Sequence, residues 1–197
     1  MTAAVTGLIL AGGRSRRMGQ PKATIRLEGL TLIERVATVL AEFCNPVLVV
    51  GNDPVLPEGF GLPVVKDAEP GGTVVRGLLG GLRASPHDLA AAVGCDMPYL
   101  KSSLLKRQVE RAIDYDVVLL ASARGLEPLH GIYRRSVIPA LEGLAANPAA
   151  GLRELWGRVR GLVLDAGEVL ALDPDGSSTV NLNTPDDLQR YTGSGQG

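Results

Sequence analysis

Long apolar runs are missing from this chain. No stretch reaches bilayer-spanning length, and no charged-then-apolar leader opens it, so a cytoplasmic protein without a membrane segment is expected. Cysteine is scarce: Cys44 and Cys95 each sit in apolar surroundings with no second thiol nearby in sequence. That argues against a disulfide framework and against a zinc site, and it fits a reducing compartment. Aromatic residues make up 4% of the chain, so the core must be built from Val, Leu, Ile and Ala. An excess of one charge is also lacking: 20 Lys and Arg face 21 Asp and Glu, for a formal net charge of −1. Such a balance speaks against a general nucleic-acid or membrane-surface binder. Only two histidines occur, His87 and His130, and a surface position is expected for both.

What is present is a hydrophobic fraction of 45% over 197 residues, enough for one α/β domain and too little for two ordinary ones. Strand-like and helix-like segments alternate. Strands are predicted over Val5–Leu10, Pro46–Val50, Pro63–Val65, Leu89–Val93, Asp116–Ala121, Pro128–Tyr133 and Leu162–Leu164. Helices are predicted over Leu32–Phe43, Leu78–Ala84, Leu104–Ile113, Ser136–Ala146 and Leu152–Val159. Near the end, Thr184 followed by Pro185 reads as an N-cap with proline at the first helical position. Strands separated by helices imply a three-layer, Rossmann-like α/β fold with a mostly parallel sheet and right-handed crossovers. A single domain over 1–192 is expected, with 193–197 as a disordered tail.

The most informative stretch is Leu8–Lys22, LILAGGRSRRMGQPK. An apolar first strand ends in Gly12-Gly13, where backbone N–H groups can approach an anion with no Cβ in the way. Arg14, Arg16, Arg17 and Lys22 add four cations within nine positions. The spacing matches neither a P-loop nor the dinucleotide fingerprint. Placed at the carboxyl edge of an open sheet, where ligands bind, the loop suits a polyphosphate; a solvated basic turn is the plain alternative.

Three further strands end on polar groups at that same edge: Asn52, Asp67 and Asp96. Asp96, in Val93-Gly94-Cys95-Asp96-Met97-Pro98, follows a buried strand and precedes a proline, which suits a Mg²⁺ ligand bridging to phosphate oxygens. A turn or N-cap aspartate is its structural alternative, and Asn52 and Asp67 have the same alternative as turn formers.

Four segments then carry a resemblance: Leu10-Ala11-Gly12-Gly13 with Ser15-Arg16-Arg17-Met18-Gly19 and Lys22; Gly77-Leu78-Leu79-Gly80-Gly81-Leu82; Cys95-Asp96-Met97-Pro98-Tyr99-Leu100; and Asn181-Leu182-Asn183-Thr184-Pro185-Asp186-Asp187-Leu188. Glu127-Pro128-Leu129-His130-Gly131-Ile132-Tyr133 adds a fifth. In this order the chain resembles the molybdenum cofactor guanylyltransferases, of the nucleotide-diphospho-sugar-transferase-like fold. One departure stands out: Pro21 precedes Lys22, where that family often has aspartate. The same Gly19-Gln20-Pro21-Lys22 pattern occurs in sister cytidylyltransferases, so a cytidylyl or sugar-phosphate nucleotidyltransferase of this fold stands as the alternative, with a non-catalytic nucleotide-binding protein behind it. The guanine reading rests on Gly12 after Leu10-Ala11 and on the Gly-Leu-Leu-Gly-Gly-Leu segment.

The resemblance implies a nucleotidyltransferase domain that joins GMP from GTP to molybdopterin and releases pyrophosphate. It places Leu10, Ala11, Gly12, Lys22, Asn52, Asp67 and Asp96 at GTP, and the chemistry of the basic loop adds the Gly13 amide and Arg14 or Arg17 as holders of the triphosphate. By the same resemblance Asn181 and Asn183 face molybdopterin or the transferring phosphate. On physical grounds Lys22, Asp96 and Arg17 are expected to take the catalytic roles, with Asp96 holding Mg²⁺. Two asparagines one residue apart point the same way on an extended strand; a helix N-terminal turn is their structural alternative. His130, in the fifth segment, is a candidate for lining the pterin side. Transient contact with molybdopterin-supplying proteins is the only protein partnership implied.

Overall fold

The computed structural model describes residues 4–12, 22–52, 61–67, 72–184, 186–187 and 189. Its main sheet has seven strands: β1 (Val5–Leu10), β4 (Val47–Val50), β5 (Val64–Val65), β6 (Leu89–Gly94), β7 (Val117–Ser122), β8 (Gly125–Arg134) and β9 (Gly161–Val163). A two-stranded hairpin, β2 (Arg26–Leu27) with β3 (Leu30–Thr31), stands apart from it. The spatial order is β5-β4-β1-β6-β8-β7-β9. β1, β4, β5 and β6 pair in parallel, β8 runs antiparallel to both β6 and β7, and β7 pairs in parallel with β9. β8 alone therefore runs against the rest, so the carboxyl ends of the other six strands share one edge.

Every residue of β1, β4 and β6 is buried, as expected of parallel strands covered on both faces. Alternation along β1 divides the core. Val5 and Ile9 face a layer holding Ile33, Val36 and Leu40 of α1 (Leu32–Ala41) and Leu104 and Leu105 of α3 (Ser102–Arg111). Leu8 and Leu10 face Val75, Leu78 and Leu82 of α2 (Val74–Ala84) and Leu141 and Leu144 of α4 (Ile138–Ala145). The three layers anticipated from the sequence are present.

α2 begins four residues before the predicted Leu78, capped by Thr73, whose side-chain oxygen accepts from the Arg76 N–H at 3.3 Å. Its glycines lower helix propensity, yet they let the helix lie close to the sheet. A Cβ on Gly81 would stand 2.9 Å from Leu8 Cδ1 and 3.1 Å from Val50 Cγ2. Tertiary packing thus overrides propensity there. The predicted Leu152–Val159 helix is a 3₁₀ segment over Leu152–Arg158, and the predicted Ser136–Ala146 helix opens as 3₁₀ before α4. The hairpin β2–β3 and the helix α5 (Ala166–Leu172) were not anticipated. Strands of two residues carry too little pattern to register.

Candidate functional site at the carboxyl edge of the sheet

At the edge where β1, β4, β5 and β6 end, the sheet hands its chain to irregular segments through a ladder of main-chain bonds. Ala11 N–H donates to Val50 O at 2.9 Å, Gly51 N–H to Val65 O at 3.0 Å and Cys95 N–H to Leu10 O at 3.2 Å. These bonds set Gly12, Asn52, Asp67 and Asp96 side by side, as the parallel topology requires.

Lys22 is the junction. It opens a 3₁₀ turn (Lys22–Thr24), and its ammonium donates to Asp96 Oδ2 at 2.7 Å and to Asn183 Oδ1 at 2.6 Å. The Lys22 and Asp96 side chains are 20% and 18% exposed, so the pair is shielded from bulk water yet open on one side. A small apolar cluster of Ile25, Leu27, Leu32 and Leu182, all buried, brings these three residues together. Leu182 lies between the two asparagines, and its N–H donates to Asp96 O at 2.9 Å. Among the described residues the Asp96 carboxylate bonds Lys22 and caps no helix. α3 starts at Ser102 with Lys101 at the N-cap and no side-chain cap bond.

Asn52 and Asp67 form a second group. The Asp67 N–H donates to Asn52 Oδ1 at 3.1 Å. The Asp67 carboxyl is half-buried, and that burial pushes its pKa upward. It lies against α2, where a Cβ on Gly77 would be 3.4 Å from Oδ1. Leu10, Gly12, Asp67, Gly77 and Leu129 line one small cavity there. Among the described residues, a Cβ on Gly12 would meet nothing within 4 Å.

The segment carrying Asn181 and Asn183 differs from the expected strand. It is irregular, with Asn181 Nδ2 donating back to Thr179 O at 3.3 Å while Asn183 reaches Lys22. The turn expected as their structural alternative is present: Asp187 Oδ2 accepts from the N–H groups of Asn183 and Thr184, and the Asp187 N–H donates to Thr184 Oγ1 at 3.1 Å. Gly13, Arg14 and Arg17 lie outside the described residues.

His130 does not sit at the surface and does not line this edge. It is fully buried, because β8 is an inner strand and its ring faces helix α3. His87 is half-buried at the opposite end of the sheet, with Nδ1 3.2 Å from Thr6 Oγ1. Cys44 and Cys95 are both buried and free, and burial pushes each thiol up to about 12, so neither serves as a nucleophile at neutral pH. Sequence reasoning passed over Gly94. A Cβ there would stand 2.7 Å from Asp96 Oδ1, so the glycine leaves the space in which the carboxylate rests. A glycine closing a buried strand two residues before a candidate ligand was the available signal.

A family model described as the MobA-like NTP transferase domain matches residues 7–162. The chain belongs to that family. This MobA-like chain is 31% identical over 189 residues to the molybdenum cofactor guanylyltransferase of Desulfosudis oleivorans, covering 95% of this chain and 94% of that one. It is 36% identical over 189 residues to the molybdenum cofactor guanylyltransferase of Cereibacter sphaeroides, covering 93% of each. Among solved structures, the molybdopterin-guanine dinucleotide biosynthesis protein A of Archaeoglobus fulgidus superposes with a TM-score of 0.83 at 24% identity, covering 96% of this chain and 97% of that one. That likeness establishes the nucleotidyltransferase fold. No helix among the described residues is long and apolar enough to cross a membrane.

Proposed function

We propose that this MobA-like protein transfers GMP from GTP to the terminal phosphate of molybdopterin, forming the guanine dinucleotide cofactor and pyrophosphate. The observation that carries this reading is the Lys22 ammonium, held by Asp96 and Asn183 at the carboxyl edge of the sheet. One cation joins three of the segments through which the chain resembles its relatives.

In this reading Leu10-Ala11-Gly12-Gly13, Arg14 and Lys22 bind the triphosphate, and Asn52 and Asp67 bind the nucleoside side. With no Cβ at Gly12, a phosphate oxygen can approach the backbone amides there. Arg17 and Lys22 balance charge on the leaving pyrophosphate. The acceptor is already a phosphate oxygen, so the step needs positioning and charge stabilisation rather than a strong base. Asn181 and Asn183 face the molybdopterin side, where amides can hold phosphate or pterin edges without adding charge.

The donor set fits Mg²⁺. Asp96 offers a hard, partly exposed carboxylate oxygen, and Mg²⁺ is usually bound through one or two carboxylates with substrate phosphates and water completing the shell. Asp96 would hold such an ion, which would supply positive charge to offset the charge that develops during transfer.

GTP with Mg²⁺ is expected to stabilise the protein and CTP is not. A ligand at about 100 times its Kd adds about 2.7 kcal/mol, which raises the Tm of a chain this size by roughly 5–10 °C. A thermal-shift panel of GTP, CTP, UTP and ATP checks this, and stabilisation by CTP alone would replace the guanylyl assignment with the cytidylyl one. Pyrophosphate release from GTP in the presence of molybdopterin then distinguishes an enzyme from a nucleotide-binding protein.

Gly94→Ala tests the carboxylate's placement. The new methyl cannot share space with Asp96 Oδ1, and the short acidic side chain swings aside more easily than strand β6 shifts. Displacing a reacting group by about 1 Å costs on the order of a hundredfold in rate. Steady-state turnover is expected to fall by about that factor, while the melting curve moves only a few degrees. Full turnover would show that the observed position of Asp96 does not matter.

A further inference from the structure

One buried polar chain lies outside the site just described and ends against it. His130 lies in β8 opposite Val93 of β6. Its Nδ1 is 3.3 Å from Gln108 Oε1 and its Nε2 is 2.8 Å from Ser178 Oγ. Gln108, on α3, is fully buried, and its Nε2 donates to Val118 O at 3.2 Å and to His130 O at 2.9 Å. Both of its N–H bonds go to carbonyls, so Oε1 must face the ring as an acceptor. The proton of the neutral imidazole therefore sits on Nδ1. Nε2 is left as an acceptor, and the Ser178 hydroxyl donates to it.

Ser178 is fully buried as well. Its Oγ accepts from the Lys101 N–H at 2.9 Å, and its own N–H donates to Asp173 Oδ2 at 3.0 Å. Asp173 is in turn buried and ion-paired to Lys101 Nζ at 2.6 Å. Each polar group is satisfied, which is the condition under which a buried network fixes one conformation. Desolvation holds the His130 pKa down at about 4, so the ring stays neutral and keeps its acceptor at neutral pH.

Ser178 belongs to the 3₁₀ turn Ser177–Thr179, four residues before Leu182, whose N–H bonds Asp96 O. The segment that delivers Asn183 to Lys22 is thus tied at two points, the Ser178 hydroxyl and the Leu182 amide. We propose that His130 is a positioning residue: through Ser178 it fixes the 178–183 segment, and so sets where Asn183 meets Lys22 and Asp96. It touches no reacting atom. The kinetic part of this inference rests on the guanylyl-transfer reading; the structural part does not.

The test uses the full chain carrying His130→Asn, His130→Gln or Ser178→Ala. Asparagine reaches only as far as Nδ1 and loses Ser178, whereas glutamine carries its terminal amide to the place of Nε2 and keeps it. Losing one buried hydrogen bond of about 1.4 kcal/mol corresponds to about a tenfold change. Amide hydrogen exchange over 178–183 is expected to speed up about tenfold in His130→Asn and Ser178→Ala and to stay near wild type in His130→Gln. KM for molybdopterin should rise by a similar factor in the first two variants, with KM for GTP unchanged, and His130→Gln should restore it. Unchanged exchange in both His130→Asn and Ser178→Ala would overturn the proposal. So would a His130→Gln variant that loosens the segment as much as His130→Asn does. If the exchange contrast appears while wild type makes no dinucleotide from GTP, the tie stands and the reaction reading falls.

Discussion

Asp96→Ala is expected to lose turnover by roughly a thousandfold while the protein still folds. A group that stabilises developing charge at the reacting phosphorus acts on the transition state, and removing one such group costs on the order of 10²–10³ in rate. The stability cost is smaller because Lys22 keeps Asn183 as an acceptor at 2.6 Å and remains partly hydrated. Loss of the pair should cost about 1–3 kcal/mol, a fall in Tm of roughly 2–12 °C. Asp96→Asn keeps the shape and removes the charge, so it should melt close to wild type and remain nearly inactive. Paired melting curves and Mg²⁺-dependent steady-state assays check both variants. Full activity with a lowered Tm would return Asp96 to the role of a turn residue.

Lys22→Ala should be nearly inactive and folded. The ammonium is the one described cation in the triad with Asp96 and Asn183, and the reading assigns it the charge that builds on the leaving pyrophosphate. A loss of at least about a hundredfold in kcat/KM is expected, comparable with losing one preorganised donor. Lys22→Arg should retain only part of the activity. A planar guanidinium fork and a compact ammonium meet phosphate oxygens differently, and the arginine must also fit where Asp96 and Asn183 now close on Nζ. A GTP titration and a steady-state assay of both variants decide the matter. Wild-type behaviour of Lys22→Ala would remove the centre of this mechanism.

Both residues were named from the sequence, but for different reasons. Asp96 was legible because β6 is a local signal. Leu89–Gly94 is an unbroken buried run, and a carboxylate just past such a run lies at a predictable edge of a parallel sheet. Asn52 and Asp67 followed from the same logic, each standing just past a short apolar strand. Lys22 was legible only as the end of a basic loop. Nothing near it in sequence indicated Asn183, 161 positions away, or the burial of Leu182 against Ile25 and Leu27.

By itself, then, the sequence determined the layered α/β architecture and the edge on which the polar residues gather, because apolar period, strand ends and glycine turns are encoded over a few neighbouring residues. The tertiary structure decided which of those residues touch. The β2–β3 hairpin, turned by Glu28 and Gly29 at positive φ, is too short to announce itself, yet its Leu27, with the flanking Ile25 and Leu32, packs on Leu182 between the two asparagines. His130 reads as a surface histidine until β8 is inserted between β6 and β7 and Gln108 and Ser178 close around its ring. Gly94 is an ordinary strand residue until the Asp96 carboxylate occupies the space a Cβ would fill. In each case the deciding contact joins elements whose proximity depends on burial and strand order, which no local pattern carries.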